Sequence, residues 1–513
     1  MGDDIDQHHD TFTVLMSPVV MAEIFANLAI KDLRSSRFVC RKWGIIGGSV
    51  LSSKFWLELD HPCDAAIWKP PIIHDKFWRR VSIQHGEARS GLPKFACNRD
   101  DHPTFLANCM TLLPNMDQFT QDLHIHVSHW GGIQLLRALA HGHFTILKFL
   151  SVRFILANPA DEVGLLDCQN FATRHTLTKL TLLLGAPFGN SNLLASMCQV
   201  LINACANLED LHITSSFYPD LTDCGKLGVF KYKRIYVEPD FPLLNRMLST
   251  IPNSVRDFSL DYPTGEIQLQ RTDLLNFGPD PMPNLTSLNI EYSRSYYTID
   301  TVLKLGLFPK LEHLCITLPP HLFPHYTIFT DVKDRGVGVT SLKLTYPPVR
   351  YLNEVALLRI VAACLSVKRL NLRLNSPGIE MLQKIIDALN GWDLIRGVVF
   401  LKELSCTDVA PVLEIWASLN ISGRVKLILH TRDFRKMGMR TQKLGAKPKF
   451  MFSQRLNAAF ISCRRCARVE IGVDVASCTM SPNVRDNIKS FLEMQQIPIH
   501  FESVHGRAKF SGD

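Results

Sequence analysis

The sequence has no uninterrupted apolar run long enough to cross a bilayer, and even ALLRIVAACLSV carries Arg359 within it. Its first ten residues, MGDDIDQHHD, are acidic and polar, which is the opposite of a secretory or mitochondrial leader. It also has no Gly-x-Ser-x-Gly nucleophile motif, and Gly336-Val-Gly338 has no third glycine to help hold a phosphate. We therefore expect no membrane partner, no catalytic residues and no cofactor.

Cysteines are present, but their setting indicates free thiols. Fourteen of them in a chain without a leader point to a reducing compartment, so we expect a cytoplasmic or nuclear protein. Apolar residues make up 46% and charged residues 20% of the chain, which indicates a folded protein rather than a disordered one. A length of 513 residues favours several domains or one repeat array.

The positive charge is unevenly distributed. The net charge is +8, yet residues 432–450 (RDFRKMGMRTQKLGAKPKF) alone contain seven Lys and Arg against one Asp. The rest of the chain is almost neutral, so we do not expect nucleic acid as a partner. The basic segment is a local feature.

Residues 14–59 predict three short helices. Ser17-Pro18 is a helix start with Ser as cap, and Val20, Ile24 and Leu28 follow at i, i+4 spacing beside Met21 and Phe25. Asp32 can cap a second helix; Val39, Trp43 and Ile46 suit a third, which Gly47-Gly48 would end. A module of about 45 residues cannot bury so many large apolar groups internally, so the surplus is expected to face a partner.

These residues resemble the F-box motif in order and spacing. The resemblance rests on Ile24-Phe25, Leu28, Asp32-Leu33, Val39-Cys40-Arg41-Lys42-Trp43 and Phe55-Trp56, while Met16-Ser17-Pro18-Val19 stands where the family has Leu-Pro and an acidic residue. It implies docking to the Skp adaptor of a cullin–RING ubiquitin ligase, with adaptor contacts from Pro18, Ile24, Phe25, Leu28, Leu33, Val39 and Trp43. Cys40 would be a small buried apolar residue of a packed helix. The alternative is an ordinary N-terminal helical cap.

The rest of the chain repeats one sequence pattern: an apolar residue, two residues of any type, and then apolar-x-apolar. Examples are NLEDLHI (207–213) and KLEHLCI (310–316). We place the residue that opens this apolar-x-apolar pair at 123, 147, 180, 211, 235, 258, 288, 314, 342, 370, 427 and 469. Helical stretches such as SPGIEMLQKIIDALNG (376–391) lie between, so each unit is a strand plus a helix of about 28 residues. Such units must stack to bury their apolar faces.

This pattern resembles the leucine-rich repeat. The resemblance implies an α/β fold in which a curved solenoid of roughly 11 to 14 repeats follows the F-box, with strands on the concave face and helices outside. We predict a disordered tail at 1–13, the F-box at 14–59, a junction at 60–120 with a possible first repeat at Val81–Ile83, the array at 121–503, and a tail at 504–513.

Two clusters have metal-ligand spacing. Cys463 and Cys466 form C-x-x-C, but Cys463, like Cys205 and Cys364, stands six residues before a strand's opening position, which predicts a shared core position instead. His124, His126 and His129 lie in and after a predicted strand, where a solvated or partner-facing strand is the better interpretation. We predict no metal site.

A basic insertion at 431–455 breaks the repeat rhythm. Its candidate substrate-binding residues are Arg435, Lys436, Arg440, Lys443, Lys447 and Lys449; the alternative is a solvated loop without a partner. By resemblance, the chain is a non-catalytic substrate receptor that binds an unidentified target protein. Alternatives are a binding scaffold without ligase function and a receptor whose solenoid holds a small molecule or inositol phosphate, which would need a basic floor.

Overall fold

The structure is a computed structural model. Its described residues are 17–60, 78–85, 111–114, 116–127, 130–155, 170–185, 192–235, 240–263, 277, 281–293, 307–317, 338–345, 364, 366–375, 378–389, 392, 394–405, 407–418, 424–431, 454–463, 466, 468–474, 490, 493 and 499–504. The chain divides into two compact units, Met1–Leu227 and Gly228–Asp513, called here the first and the second unit. None of the described helices combines the length and apolar character that spanning a membrane requires.

The first unit begins with three helices, α1 (Pro18–Ala26), α2 (Ile30–Ser36) and α3 (Arg41–Lys54). Ser17 stands at the N-cap position of α1 and Pro18 occupies its first turn, as predicted, but the Ser17 side chain makes no capping hydrogen bond. The second helix starts earlier than predicted, after Ala29, so Asp32 is not its cap. Asp32 instead lies in the first turn, where a carboxylate favourably faces the helix dipole.

Among the described residues of the first unit, six strands and two further helices follow: β1 (Leu57–Asp60), β2 (Arg80–His85), β3 (Asp122–Val127), α4 (Trp130–Ala140), β4 (Phe149–Ile155), β5 (Lys179–Gly185), α5 (Asn192–Asn203) and β6 (Asp210–Ser215). Each strand pairs in parallel with the next one along the chain. The strand predicted at Val81–Ile83 is present as β2, and β1 precedes it.

The second unit shows the same pattern, and its described part contains ten strands and four helices: β7 (Val229–Arg234), α6 (Phe241–Ser249), β8 (Asp257–Pro263), β9 (Ser287–Ser293), β10 (His313–Thr317), β11 (Ser341–Thr345), β12 (Arg369–Asn375), α7 (Ile379–Leu389), β13 (Arg396–Leu404), α8 (Val409–Ala417), β14 (Val425–Thr431), α9 (Gln454–Ser462), β15 (Arg468–Asp474) and β16 (Ile499–Val504). All neighbouring strands are again parallel. Parallel neighbours need crossover connections, which here include the helices.

The apolar residues of the repeated sequence pattern form rows across neighbouring strands. In the first unit, Leu123, Leu150, Leu180 and Leu211 are partners in register and are all buried. A turn precedes many strands, and in it the backbone N–H three residues before the opening residue donates to a carbonyl three residues earlier, as from Leu208 to Cys205 at 3.1 Å. The buried rows and this repeated turn explain why the sequence pattern recurs.

Three predicted strand positions are wrong by a few residues; one of them is Leu427, since Val425 is the register partner of Gly397 and so continues the row of Leu370. Leu150, not Leu147, is the register partner of Leu123, and Phe230, not Ile235, is the partner of Phe258. Leu147 is buried too, but in the turn before the strand. Two leucines three residues apart both satisfy the apolar pattern, so the pattern alone could not separate turn from strand.

Strand β13 was missed because glycine stands where a leucine was expected. Gly397 is the register partner of Leu370, and a Cβ atom at Gly397 would lie 3.1 Å from the Leu370 backbone oxygen and 3.3 Å from Val425 Cγ1. A side chain at Gly397 would therefore crowd both neighbouring strands, which would have to shift by a few tenths of an ångström. Helix α7 was predicted correctly: Leu382, Ile385, Ile386 and Leu389 are buried, whereas Ile379 is half-buried.

A buried arginine stabilises the corner after α4. Arg174 is only 4% exposed and its guanidinium donates to the backbone oxygens of Leu139, His143 and Phe144. Phe144 has a positive φ of 64°, a conformation that a bulky residue rarely adopts, and the Asp117 carboxylate accepts a hydrogen bond from its backbone N–H. Arg174 and Asp117 thus hold a strained corner in place.

Candidate functional site

The three N-terminal helices share a small core. Met21, Phe25, Leu33 and Leu51 are buried, and Leu28, Trp43, Ile46 and Val50 pack against them. The rings of Phe25 and Trp43 meet edge to face, with centroids 5.3 Å apart. Lys54 fastens the end of α3 to α1, since its Nζ donates to the backbone oxygens of Ala26 and Leu28.

Helix α3 does not end at Gly47-Gly48 but continues to Lys54. Glycine inside this helix allows Arg37 to pack closely against it. A Cβ on Gly47 would lie 3.1 Å from the Arg37 Cγ, and a Cβ on Gly44 would lie 3.1 Å from the Arg37 backbone oxygen. The glycines therefore serve packing between the α2–α3 connection and α3, at some cost in helix propensity. A Gly-Gly pair alone cannot distinguish this from a helix end.

Cys40 is exposed, which corrects its prediction as a buried helical residue. It is the N-cap of α3, and its Sγ accepts a hydrogen bond from the Trp43 backbone N–H at 3.5 Å. The cysteine thus occupies the position that Ser, Thr, Asp or Asn usually fills, with a weaker acceptor.

The seven predicted adaptor-contact residues fall into three groups. Phe25 and Leu33 are 1% and 0% exposed, so their side chains have no surface left to offer a partner. Leu28 and Trp43 are partly buried against the core. Pro18, Ile24 and Val39 are exposed and can contact a partner directly. For Phe25 and Leu33 the structure therefore gives a supporting role in the module's core.

Four further apolar residues are exposed on the module and were not predicted. Phe38 is 90% and Val19 77% exposed, with Ile45 at 57% and Ile30 at 43%. Helical spacing contained part of this signal: Trp43, Ile46 and Val50 mark the inward face of α3, and Ile45 does not follow that spacing. Phe38 lies between helices, where periodicity gives no information. Several large exposed apolar groups on so small a module are typical of an interaction surface.

Residues 15–51 match the F-box domain family. The chain carries an F-box domain. The match spans the three helices up to Leu51 and includes every predicted adaptor-contact residue. No curated protein matches the chain at a significant level. F-box domains bind the Skp adaptor and through it cullin–RING ligases, and F-box proteins are typically non-catalytic.

The predicted core position of the cysteines is confirmed. Cys205, Cys364 and Cys463 are 1%, 0% and 0% exposed, and Cys466 is 6% exposed. A hydrogen bond with Cys466, together with burial, raises the pKa of the Cys463 thiol. Within the described part of the chain, no three His, Cys, Asp or Glu residues form a cluster that could hold a metal ion.

His124 lies on the half-exposed face of β3, between two aromatic rings. Its ring centroid is 4.2 Å from that of Trp56 and 4.9 Å from that of Phe149. Burial lowers the pKa of His124 below its usual 6.5, although the Asp122 carboxylate opposes the shift. Arg80 lies over the Trp56 ring at 4.3 Å and pairs with Asp122 at 3.1 Å. His126 is half-buried in the same strand, and His129 lies outside the described residues.

A second charged group lies further along the same face. Asp210 on β6 is 2.8 Å from Lys179 Nζ and 2.8 Å from His212 Nε2. Burial raises the pKa of Asp210, but the hydrogen bonds from His212 and Lys179 outweigh burial and lower this pKa to about 2. The carboxylate is therefore bound firmly within the protein and is poorly suited to act as a free acid or base.

The predicted basic loop belongs to the part of the chain outside the described residues. Arg435, Lys436, Arg440, Lys443, Lys447 and Lys449 all lie outside the described residues, and β14 ends at Thr431, directly before the basic segment begins in sequence. The assignment of a substrate-binding role to this loop stays a prediction.

Proposed function

We propose that this protein is the substrate receptor of a cullin–RING ubiquitin ligase, acting in the cytoplasm or nucleus. Its F-box would dock the Skp adaptor, and its strand array, which we interpret as leucine-rich repeats, would bind the target protein. Catalysis would come from proximity, because a target held near the ubiquitin-charged enzyme reacts at high effective concentration. The F-box match at residues 15–51 is the observation that carries the proposal.

The exposed apolar residues of the F-box domain support adaptor docking. Phe38 and Val39 are adjacent, 90% and 63% exposed, and lie in the connection between α2 and α3. Burying them against a partner removes apolar surface from water, and a few such central residues usually carry most of the binding energy. We therefore expect this pair to contribute strongly to the contact.

The test is co-expression of the full chain with the Skp adaptor, followed by gel filtration. Phe38→Glu with Val39→Glu should weaken the complex about a hundredfold or more, because charges would be buried at the interface without partners. The matched control is Leu243→Glu, which changes a 46% exposed leucine on α6 outside the F-box domain and should leave the complex intact.

Leu33→Asp distinguishes folding from docking. Leu33 is fully buried, so this variant should unfold the three helices and lose the adaptor, whereas Phe38→Glu/Val39→Glu should keep its helical circular dichroism. A stable wild-type complex that survives the Phe38/Val39 change would show that docking uses other residues. A soluble, folded chain that forms no complex at all would refute the proposed function.

A binding scaffold that uses the F-box helices without ubiquitylation is the second candidate, since adaptor docking alone does not imply target turnover. Blocking the proteasome separates the two. A bound target should accumulate if the protein is a ligase receptor, and its level should stay constant if the protein is a scaffold.

A further inference from the structure

The half-exposed face of strands β11–β14 is strongly basic. In parallel strands, register partners lie on the same face, so this face can be read row by row from the pairing. It presents five cations, Lys343, Arg369, Arg373, Arg396 and Lys426, of which Lys343 lies 3.7 Å from the Glu291 carboxylate on β9. Among the residues whose side chains are described, this face of β11–β14 has no Asp or Glu. The half-exposed face of these strands therefore forms a basic surface, which the sequence alone did not reveal.

Two of these cations are direct neighbours. Arg369 and Arg396 are register partners on adjacent strands, both are exposed, and within the described part of the chain neither guanidinium has an ion-pair or hydrogen-bond partner. Like charges directly opposite each other in a sheet are destabilising. Such a pair costs stability in the isolated protein and becomes favourable when an external anion lies between the two groups.

Unused hydrogen-bond acceptors lie on the same face. Asn371 and Asn289 belong to one register row that runs through Lys343, and the side-chain oxygen of each is buried with no partner in the described residues. A buried acceptor without a donor costs free energy, and rotation of the half-buried Asn371 side chain would bring its oxygen to the surface, where a ligand can donate to it. Free phosphate has few donors to offer, whereas a polypeptide supplies a backbone N–H at nearly every residue.

We propose that the face of β11–β14 binds an acidic, extended segment of a protein partner. Carboxylates of the segment would pair with Arg369, Arg396 and their neighbours, and its backbone N–H groups would donate to Asn371. Four strands about 4.8 Å apart span roughly 15 Å, which accommodates four or five residues of extended chain. The inference rests on the proposed function only in taking the bound segment to belong to the ligase target.

The test is fluorescence anisotropy of the full chain with a short labelled poly-glutamate peptide, and poly-glutamine as the uncharged probe. Arg369→Ser with Arg396→Ser should weaken poly-glutamate binding at least about tenfold, since two charge-assisted contacts are lost. The matched control is Lys231→Ser with Lys233→Ser, on the same face of β7, where Asp257 and Asp261 balance the charge and Lys233 pairs with Asp261 at 2.5 Å. The control removes equal charge and should change affinity less than about twofold.

Three results would overturn the inference: equal binding of poly-glutamine, an unchanged affinity in the folded Arg369/Arg396 variant, or an equal loss in the β7 control. A single-stranded RNA that binds more tightly than poly-glutamate and depends on the same two arginines would also overturn it in favour of nucleic acid. The peptide assay needs no adaptor and leaves the F-box domain unchanged. Failure here therefore leaves adaptor docking untouched, and failed docking leaves the acidic-segment result valid.

Discussion

The face of β2–β6 in the first unit and the face of β11–β14 in the second unit share the same strand geometry but differ in how their surface charge is balanced. On the face of β2–β6, Arg80 pairs with Asp122, and Lys179 and His212 pair with Asp210. On the face of β11–β14, Arg369 and Arg396 are adjacent, and the described side chains of these four strands include no carboxylate; Glu291 on β9 reaches Lys343 at 3.7 Å. In both units the buried rows of apolar residues hold the strands together. The charges of the outward-facing residues can therefore either be paired within the protein or be left to bind a partner.

The difference teaches that charge on a strand face is informative only in register. Both faces contain several cations. Arg80 and Asp122 are distant in the sequence, so the sequence alone does not indicate that they interact. Pairing places them side by side, and it likewise brings Arg369 beside Arg396. Since opposite charges stabilise neighbouring strands and like charges destabilise them, the two faces should respond differently to mutation, salt and pH.

The largest expected effect concerns the buried charge of the first unit. Arg174→Ala should destabilise this unit by about 3 kcal/mol, because three backbone oxygens lose their donor at a buried site. Cys364→Ala, at the corresponding turn position of the second unit, should cost about 1 kcal/mol, since it removes only one small buried group. Hydrogen exchange followed by mass spectrometry measures each unit separately, which a single unfolding curve does not.

Arg174→Lys is the matched variant. It keeps the charge but not the planar fork that reaches several oxygens, so it should restore only part of the lost protection. Full restoration by lysine, or equal effects of Arg174→Ala and Cys364→Ala, would contradict the assignment of Arg174 as the clamp of the Phe144 corner.

The next effect is the acid sensitivity of the neutralised face. The folded pKa of Asp210 is about 2, below its ordinary 3.8, so its ion pairs stabilise the protein above pH 3.8 and lose this contribution as the pH falls towards 2. Asp210→Asn should cost about 1 kcal/mol at neutral pH, less than the pKa shift alone implies, because water screens a half-buried pair. Exchange protection of β5 and β6, recorded from pH 5 to about 2.5, should then become less pH-dependent.

His124 gives a smaller effect in a different pH range. Its folded pKa is lowered from 6.5, so the unfolded chain binds the proton more readily, and stability falls as the pH drops below about 6.5. His124→Phe keeps a ring between Trp56 and Phe149 and should remove this dependence, with little change at pH 8. An unchanged thermal shift between pH 8 and pH 5.5 in the wild type would contradict the buried neutral histidine.

The smallest effect has the opposite sign. Arg396→Ser should stabilise the second unit slightly, by no more than about 0.5 kcal/mol, because it relieves repulsion from Arg369. Arg80→Ser should instead destabilise the first unit, since Asp122 would lose its partner. Added salt should reduce both differences. Two destabilising results, measured by thermal shift, would remove the contrast between the faces.

Much of the architecture was predictable from short-range patterns. The Ser17-Pro18 start of α1, the inward residues of α7 and most opening residues of the strands follow from capping and from the alternation of buried and exposed positions. Predictions failed where one pattern fits two structures. A Gly-Gly pair such as Gly47-Gly48 occurs both at helix ends and where another segment packs closely against a helix. The apolar pattern does not predict β13, because Gly397 has no side chain at the position where Leu370 and Val425 lie close to it.

The sequence by itself determined the F-box helices, the recurring strands and the core position of the cysteines, because local spacing and turn chemistry encode them. Tertiary structure alone decided which apolar residues of the F-box domain stay exposed and how charges meet across strands. Burial of Leu33 and exposure of Phe38 depend on packing between helices, and the contrast between Arg80–Asp122 and Arg369–Arg396 depends on register between strands distant in sequence. A linear sequence pattern shows neither the packing between helices nor the register between strands.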